Sequence, residues 1–282
     1  MLFSAIKRKV RRLARRASNW TTIAGLTLRG NTIKKDSRLK NCKNPVLMIY
    51  GFGATQRTLS ILETRLKNAG YTTFSLNLGG FFGTFNTSSV EESAKYIKTK
   101  IEKLYKKFNI QGRLNIIGHS KGGLIGQYYI KCLDGAKRVR TFITIGSPHN
   151  GTPWAFAASL TPLVLVCKSL KQMSPYNSFV NNLKQKKFPA HIKVYSIYSK
   201  DDTVCPFPMA VLEEAENVKN VEVFGVTHSE MLIKKIVFNS IIHALQDKMP
   251  ESWEKVSRKN YEEYLNRKKF SKKLFNKLPA FL

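Results

Sequence analysis

Acidic residues are scarce in this sequence: 18 Asp and Glu stand against 48 Lys and Arg, a formal net charge of +30 over 282 residues. A surface of that sign is drawn to anionic partners such as phospholipid headgroups, nucleic acid or another polyanion, and charge alone does not choose among them. Long apolar runs are missing too. No stretch reaches the roughly 18 consecutive apolar residues of a membrane-spanning helix. The longest candidate, residues 154–167, is short and contains Pro162, which argues against an integral membrane protein. No apolar core follows the basic residues 7–16, so a cleavable secretory signal is not expected. The Arg-rich, acid-free composition of that segment resembles an organellar transit peptide instead. Cysteines are few: Cys42, Cys132, Cys167 and Cys205 form no C-x-x-C pair and no zinc-ligand spacing. Packing as small hydrophobes is their expected role, with a disulfide between two of them the other reading. There is no internal repeat and no nucleic-acid-binding motif.

What is present divides into three zones, expected as a basic amphipathic extension (1–44), a main domain (45–248) and a basic tail (249–282). In the first, Phe3, Ile6, Val10, Leu13, Ala17 and Trp20 recur at spacings of three or four, with Lys7, Arg8, Arg11, Arg12, Arg15 and Arg16 opposite. That pattern predicts a basic amphipathic helix, of the kind that lies in a lipid headgroup layer. An ordinary helix packed on the domain with a solvated basic face fits the spacing equally well. The tail returns to Arg267, Lys268, Lys269, Lys272, Lys273 and Lys277 among Phe270, Phe275 and Leu278.

The middle zone alternates short β-branched or aromatic segments (45–50, 71–78, 114–117, 140–145, 192–198 and 220–226) with longer helical ones (55–69, 90–108, 121–133 and 228–246). Such alternation predicts an α/β fold with a mostly parallel sheet covered on both faces and a site at the strands' carboxyl ends.

Gly118-His119-Ser120-Lys121-Gly122 lies between an apolar strand and a helix. A serine that must stand clear of a sheet needs a sharp strand-to-helix turn, and small flanking residues let the neighbouring backbone pass. The Lys121 N–H at the helix start is suited to hold a developing oxyanion. The pentapeptide alone is a weak signal, and its strand–helix context removes most of the chance that it is a plain surface turn. These residues resemble the nucleophile elbow of the α/β-hydrolase superfamily, in particular bacterial triacylglycerol lipases and esterases.

Three further segments extend the resemblance from about residue 45 to 244. The strand of residues 45–50 runs into Gly51-Phe52-Gly53, where the family has His-Gly-Phe or His-Gly-Leu; the resemblance implies that the Phe52 N–H is the second oxyanion donor. Tyr50 replaces the family's histidine, which bears on loop geometry more than on the reaction. After the strand of residues 192–198, the register of Asp202 before Val204-Cys205-Pro206 implies Asp202 as the triad acid, with Asp201 as runner-up. His228, after a strand and short turn, is implied as the base; His119, His191 and His243 compete poorly, and His149 is the serious rival, set aside because it precedes the expected acid in the chain. The stretch from Thr144 to Ala155, Thr-Ile-Gly-Ser-Pro-His-Asn-Gly-Thr-Pro-Trp-Ala, is the most lipase-specific match. The apolar segment after it, within about 150–190, reads as a lid or acyl-pocket wall that includes Trp154, or simply as a packed helical insertion.

The resemblance implies hydrolysis of a carboxylic ester, in particular a lipid ester, through an acyl-enzyme, with no metal or cofactor. The basic ends would bring the protein to an anionic membrane surface, as a cytoplasmic protein peripheral to the bilayer. Two other readings stand beside this one: an acyltransferase using the same triad, and a basic membrane- or nucleic-acid-binding protein on a hydrolase fold. No specific nucleic-acid partner is expected.

Overall fold

The computed structural model describes residues 2–31, 39–40, 42, 44–80, 85–165 and 167–248, with side chains described from residue 13 onward. The basic tail (249–282), the side chains of Lys7, Arg8, Arg11 and Arg12, and residues Lys34, Lys35 and Arg38 of the first zone lie outside the described residues.

The elements run α1 (Leu2–Leu28), β1 (Val46–Ile49), α2 (Ser60–Asn68), β2 (Thr73–Ser75), α3 (Val90–Phe108), β3 (Leu114–His119), α4 (Lys121–Cys132), β4 (Val139–Ile145), α5 (Pro153–Ser159), α6 (Ser169–Gln172), α7 (Ser178–Gln185), β5 (Lys193–Tyr198), α8 (Phe207–Ala210), β6 (Val218–Glu222) and α9 (Lys235–Gln246). The six strands form one sheet in the order β2-β1-β3-β4-β5-β6, and every pairing is parallel. Their apolar character follows from helices on both faces: Leu47, Met48, Ile116, Phe142, Ile143 and Val194 are all buried. The α/β architecture expected from the alternating pattern is therefore the one observed.

Element bounds follow local chemistry. Helix α3 has the span its pattern predicts, because Ser89 and Glu92 close a capping box at its start and Asn109 ends it in the left-handed region (φ 48°). The predicted helix over 55–69 begins instead as a 3₁₀ turn, Gln56–Leu59, before α2. The helix predicted over 228–246 is split: a 3₁₀ turn, Ser229–Leu232, precedes α9, and Lys234 between them is extended (ψ 136°). Strand β6 starts two residues earlier than expected. Val218 and Lys219 fall before the expected strand over 220–226, and Asn220 at its start has its amide satisfied inside the fold by the backbone of Leu212. The segment read as lid or packed insertion forms α5, a 3₁₀ turn (Pro162–Leu165) and α6.

Helix α1 docks through its second half. Ile23 is buried, and Arg16, Asn19, Leu26 and Thr27 are partly so, whereas Leu13, Ala17 and Trp20 face outward. The apolar stripe thus lies about a quarter turn from the docked face, and that face is made largely of polar residues. All four cysteines are free. Among the described residues, no helix is long and apolar enough to cross a membrane.

Candidate active site

Ser120 sits between β3 and α4 with φ 54° and ψ −127°, a conformation rare for any residue with a side chain. Its N–H donates to Ile145 O (2.9 Å), tying the turn to the end of the neighbouring strand. The flanking glycines are required by space. A Cβ on Gly118 would come within 2.6 Å of Gly123 N, and one on Gly122 within 2.2 Å of Ile49 O. Helix α4 begins at Lys121, so its first N–H groups have no partner from a preceding turn.

The loop after β1 lies against this turn: a Cβ on Gly51 would meet Ser120 Cβ at 2.9 Å. Among the described residues the Phe52 N–H has no hydrogen-bond partner. Asn86 holds the loop at three points. Its carbonyl accepts from Gly53 N–H (3.1 Å), its N–H donates to Ala54 O (3.2 Å), and its side-chain amide donates to Tyr50 O (3.0 Å). The buried Lys121 ammonium donates in turn to Asn86 Oδ1 (2.8 Å), Asn86 O (3.3 Å) and Ser88 O (2.5 Å). Burial lowers the Lys121 pKa to about 7. Tyr50 is fully buried and its hydroxyl accepts from Leu78 N–H (2.7 Å), so the loop is organised from this position by a phenol. Burial pushes that phenol up to about 12.

Asp202 and His228 meet. His228 Nδ1 lies 2.8 Å from Asp202 Oδ2, while Asp202 Oδ1 accepts from the N–H groups of Val204 and Cys205, each at 2.8 Å. Asp201 is turned elsewhere, accepting from Gly225 N–H (2.9 Å). Gly146 backs on the pair: a Cβ there would sit 3.0 Å from Asp202 Oδ2 and 3.2 Å from His228 Nδ1. Ser120, bonded to Ile145, and the Asp202–His228 pair, packed on Gly146, therefore flank consecutive residues. Cys205 lies beside Ser120; burial and the Asp202 carboxylate drive its thiol pKa well up, and the Ser120 hydroxyl pulls the other way. Ser120 and His228 do not hydrogen-bond, a common condition of such pairs without substrate.

The other histidines occupy structural positions. His149 is buried with its ring nitrogens taken by Thr144 Oγ1 (2.9 Å) and Gln127 Oε1 (3.0 Å), and burial holds its pKa at about 3. His119 lies closer to the site than its place in the elbow suggests: its ring centroid is 4.8 Å from that of His228 and its Nε2 is 3.4 Å from His228 O. Burial brings its pKa to about 3 as well. His191 and His243 bond backbone carbonyls of Ala136 and Lys248. Trp154 is exposed, and its indole N–H donates to Thr203 O (2.9 Å), one residue after Asp202.

Two residues at the site carry no motif of the kind that reveals Ser120. Asn86 has no sequence signal. Glu230 has one, because Thr227-x-x-Glu230 has capping-box spacing. Its buried carboxylate accepts from Thr227 N–H (3.0 Å), Thr227 Oγ1 (2.9 Å) and the Asn19 amide (2.8 Å).

Known proteins agree with this architecture. A triacylglycerol lipase of Burkholderia plantarii is 25% identical over 160 residues, 51% of this chain and 42% of that protein. Another, from Pseudarthrobacter phenanthrenivorans, is 25% identical over 118 residues, 39% of this chain and 35% of its own length. The chain thus spans less than half the length of these curated relatives. Among solved structures, Aspergillus fumigatus lipase B superposes with a TM-score of 0.60 at 20% identity, over 78% of this chain and 56% of that one, a likeness of fold. Residues 82–248, more than half of the chain, match the family described as alpha/beta hydrolase of unknown function (DUF915), and the protein belongs to that family.

Proposed function

We propose that the protein is a serine hydrolase that cleaves carboxylic esters of lipids. The observation that carries this reading is the 2.8 Å Asp202–His228 pair on the backbone that adjoins the strained Ser120 turn. Ser120 Oγ attacks the ester carbonyl after rotating toward His228. With Nδ1 occupied by Asp202, His228 uses Nε2 to take the serine proton and return it to the departing alcohol. The N–H groups of Phe52 and Lys121 hold the oxyanion, and water releases the acyl group from Ser120 by the same steps.

In this reading residues 45–248 are the catalytic domain, residues within about 150–190 cover the acyl pocket, and the two basic ends are extensions that meet an anionic bilayer. Trp154, Leu160, Leu163 and Leu165 are exposed around this segment, and Leu13 and Trp20 are exposed on α1. Apolar side chains beside basic ones suit a headgroup layer where a lipid ester lies.

Hydrolysis of p-nitrophenyl esters of increasing acyl length tests the reading. Turnover should rise with chain length and fall by at least about 10³-fold in Ser120→Ala and in His228→Ala. Equal turnover in Ser120→Ala would sink the reading. Acyl transfer to an added alcohol in preference to water would change hydrolase to acyltransferase.

A further inference from the structure

Helix α1 reaches the site from the opposite end of the sequence, and its contacts are unusual for a helix that merely covers a core. Ile23 is its one buried apolar side chain among those described, with Leu26 packed behind it. The remaining anchors are polar and fall in two groups. Near its carboxyl end, Thr27 O accepts from Thr55 Oγ1 (3.1 Å), and Thr27 Oγ1 shares a hydrogen bond with Thr58 Oγ1 (2.8 Å). Just beyond the helix, Asn31 Oδ1 accepts from Gln56 N–H (2.9 Å). Thr55 directly follows the loop that carries Phe52. In the middle of α1, the Asn19 amide donates to Glu230 Oε1 (2.8 Å), and Arg16 Nε lies 4.0 Å from Glu230 Oε2. Arg16 also lies 3.8 Å from Asp201.

Glu230 closes the turn that contains His228. Its Oε2 accepts both the N–H and the hydroxyl of Thr227, so the four residues 227–230 form a clasp with His228 inside. Among the described residues, Lys234 Nζ, 3.3 Å from Oε1, is the only partner on the carboxyl-terminal side. A carboxylate this deeply buried is stable only while its oxygens are paired. Among the described residues, removing the Asn19 amide leaves Oε1 to Lys234 and loosens the carboxylate whose other oxygen holds the clasp.

We infer that α1 is a strut between the two loops that flank Ser120, and that Asn19, supported by Arg16, is a positioning residue: through Glu230 it fixes the turn that presents His228 to Asp202. Hydrogen bonds are directional where apolar contacts are not, so a polar dock sets position more than it adds stability. Displacing a reacting group by about 1 Å can cost on the order of 10²-fold in rate. The role assigned to His228 rests on the serine-hydrolase reading above; the positioning of its ring does not.

The test uses the full chain and two readouts. One is the far-downfield proton of the His228 Nδ1–H bonded to Asp202, seen by proton NMR and assigned by its loss in His228→Gln. The other is kcat and KM on a soluble short-chain p-nitrophenyl ester, with Tm measured alongside. In Asn19→Asp, which sets a second carboxylate against Glu230, the proton should shift or vanish, and kcat should fall at least tenfold with KM within about twofold. Asn19→Ala should do the same to a lesser degree. The double variant Asn19→Asp/Glu230→Gln restores a donor–acceptor pair with its polarity reversed, and should recover both readouts. Ser18→Ala, on the exposed flank of the same helix, should change neither. An unshifted proton in a folded Asn19→Asp variant overturns the inference whatever the protein hydrolyses. A shifted proton in a protein that turns over no ester would retain the strut and remove the hydrolase reading.

Discussion

At the scale of single residues, the least expected feature is the side chain of Lys121. The G-x-S-x-G pattern directs attention to its backbone N–H, and the position itself accepts many residue types. Here the ammonium is wholly buried and bonds three acceptors on Asn86 and Ser88. Asn86 in turn fixes Tyr50, Gly53 and Ala54, so the elbow helix and the loop bearing Phe52 are joined by one continuous hydrogen-bonded path. Lys121→Met fills the same space and takes the ammonium from Asn86 Oδ1 and Ser88 O, while Asn86 O keeps only the Gly53 N–H. Unmatched buried acceptors cost roughly 1–3 kcal/mol, and loosening the loop proposed to hold the oxyanion should lower kcat by about 10²-fold, the scale of losing one donor. Thermal unfolding and ester turnover of this variant check both statements; wild-type kcat with lowered Tm would make Lys121 a stability residue only. The turn at Ser120 and the Asp202–His228 contact were legible because motif, register and chain order each restrict them. The Lys121 ammonium and Asn86 were not, since a hydrogen bond across 35 residues leaves no local pattern.

Among the elements, strands and helices set by local chemistry were the readable ones. Helix α3 carries its own capping box, and the buried parallel strands read as apolar runs. The departures occur where local pattern does not decide, as in the helix expected over 228–246, which breaks at the extended Lys234. Helix α1 is the clearest case. Its hydrophobic stripe suggested either an apolar dock or a lipid-facing surface, and the structure docks a third, polar face. The buried Glu230 at that dock has a consequence for stability. Burial alone would raise its pKa, yet the Thr227 N–H, the Asn19 amide, the Thr227 hydroxyl and Lys234 together hold it at about 2, well under the usual 4.5. Arg16 is the other cation facing it. A carboxyl with a depressed folded pKa stabilises above its unfolded value, and that stabilisation drains as pH falls from about 4.5 toward 2. The margin corresponds to roughly 3 kcal/mol at neutral pH. Chemical denaturation of the wild type and of Glu230→Gln at pH 7, 4.5 and 3 should show the wild-type advantage shrinking across that series. A difference independent of pH would mean that Glu230 acts by shape and not by charge.

Across the whole molecule, charge and apolar exposure point the same way. With a formal charge of +30, a bilayer containing anionic lipid should attract the protein, each basic residue near the surface contributing on the order of 1 kcal/mol at physiological salt. Attraction by charge alone would not distinguish a membrane from DNA, and both would weaken as salt rises. The distinction lies in the exposed apolar flank of α1, because Leu13 and Trp20 gain from entering hydrocarbon and gain little on a phosphate backbone. Trp20 reports on this directly. In a Trp154→Phe/Trp253→Phe background it is the sole tryptophan of the three in the chain. Its emission should move to shorter wavelength on vesicles of phosphatidylserine and phosphatidylcholine, stay in place on phosphatidylcholine alone, and stay in place on duplex DNA even where DNA binds. Because the same helix holds the Glu230 clasp on its inner face, a bilayer on its outer flank would steady the turn around His228, and ester turnover should rise with the same lipid dependence as the emission shift. An emission shift without a change in turnover would separate the two faces of α1, leaving the strut intact and membrane contact without a catalytic effect. A matching shift on DNA would move the polyanion-binding reading ahead of the membrane one.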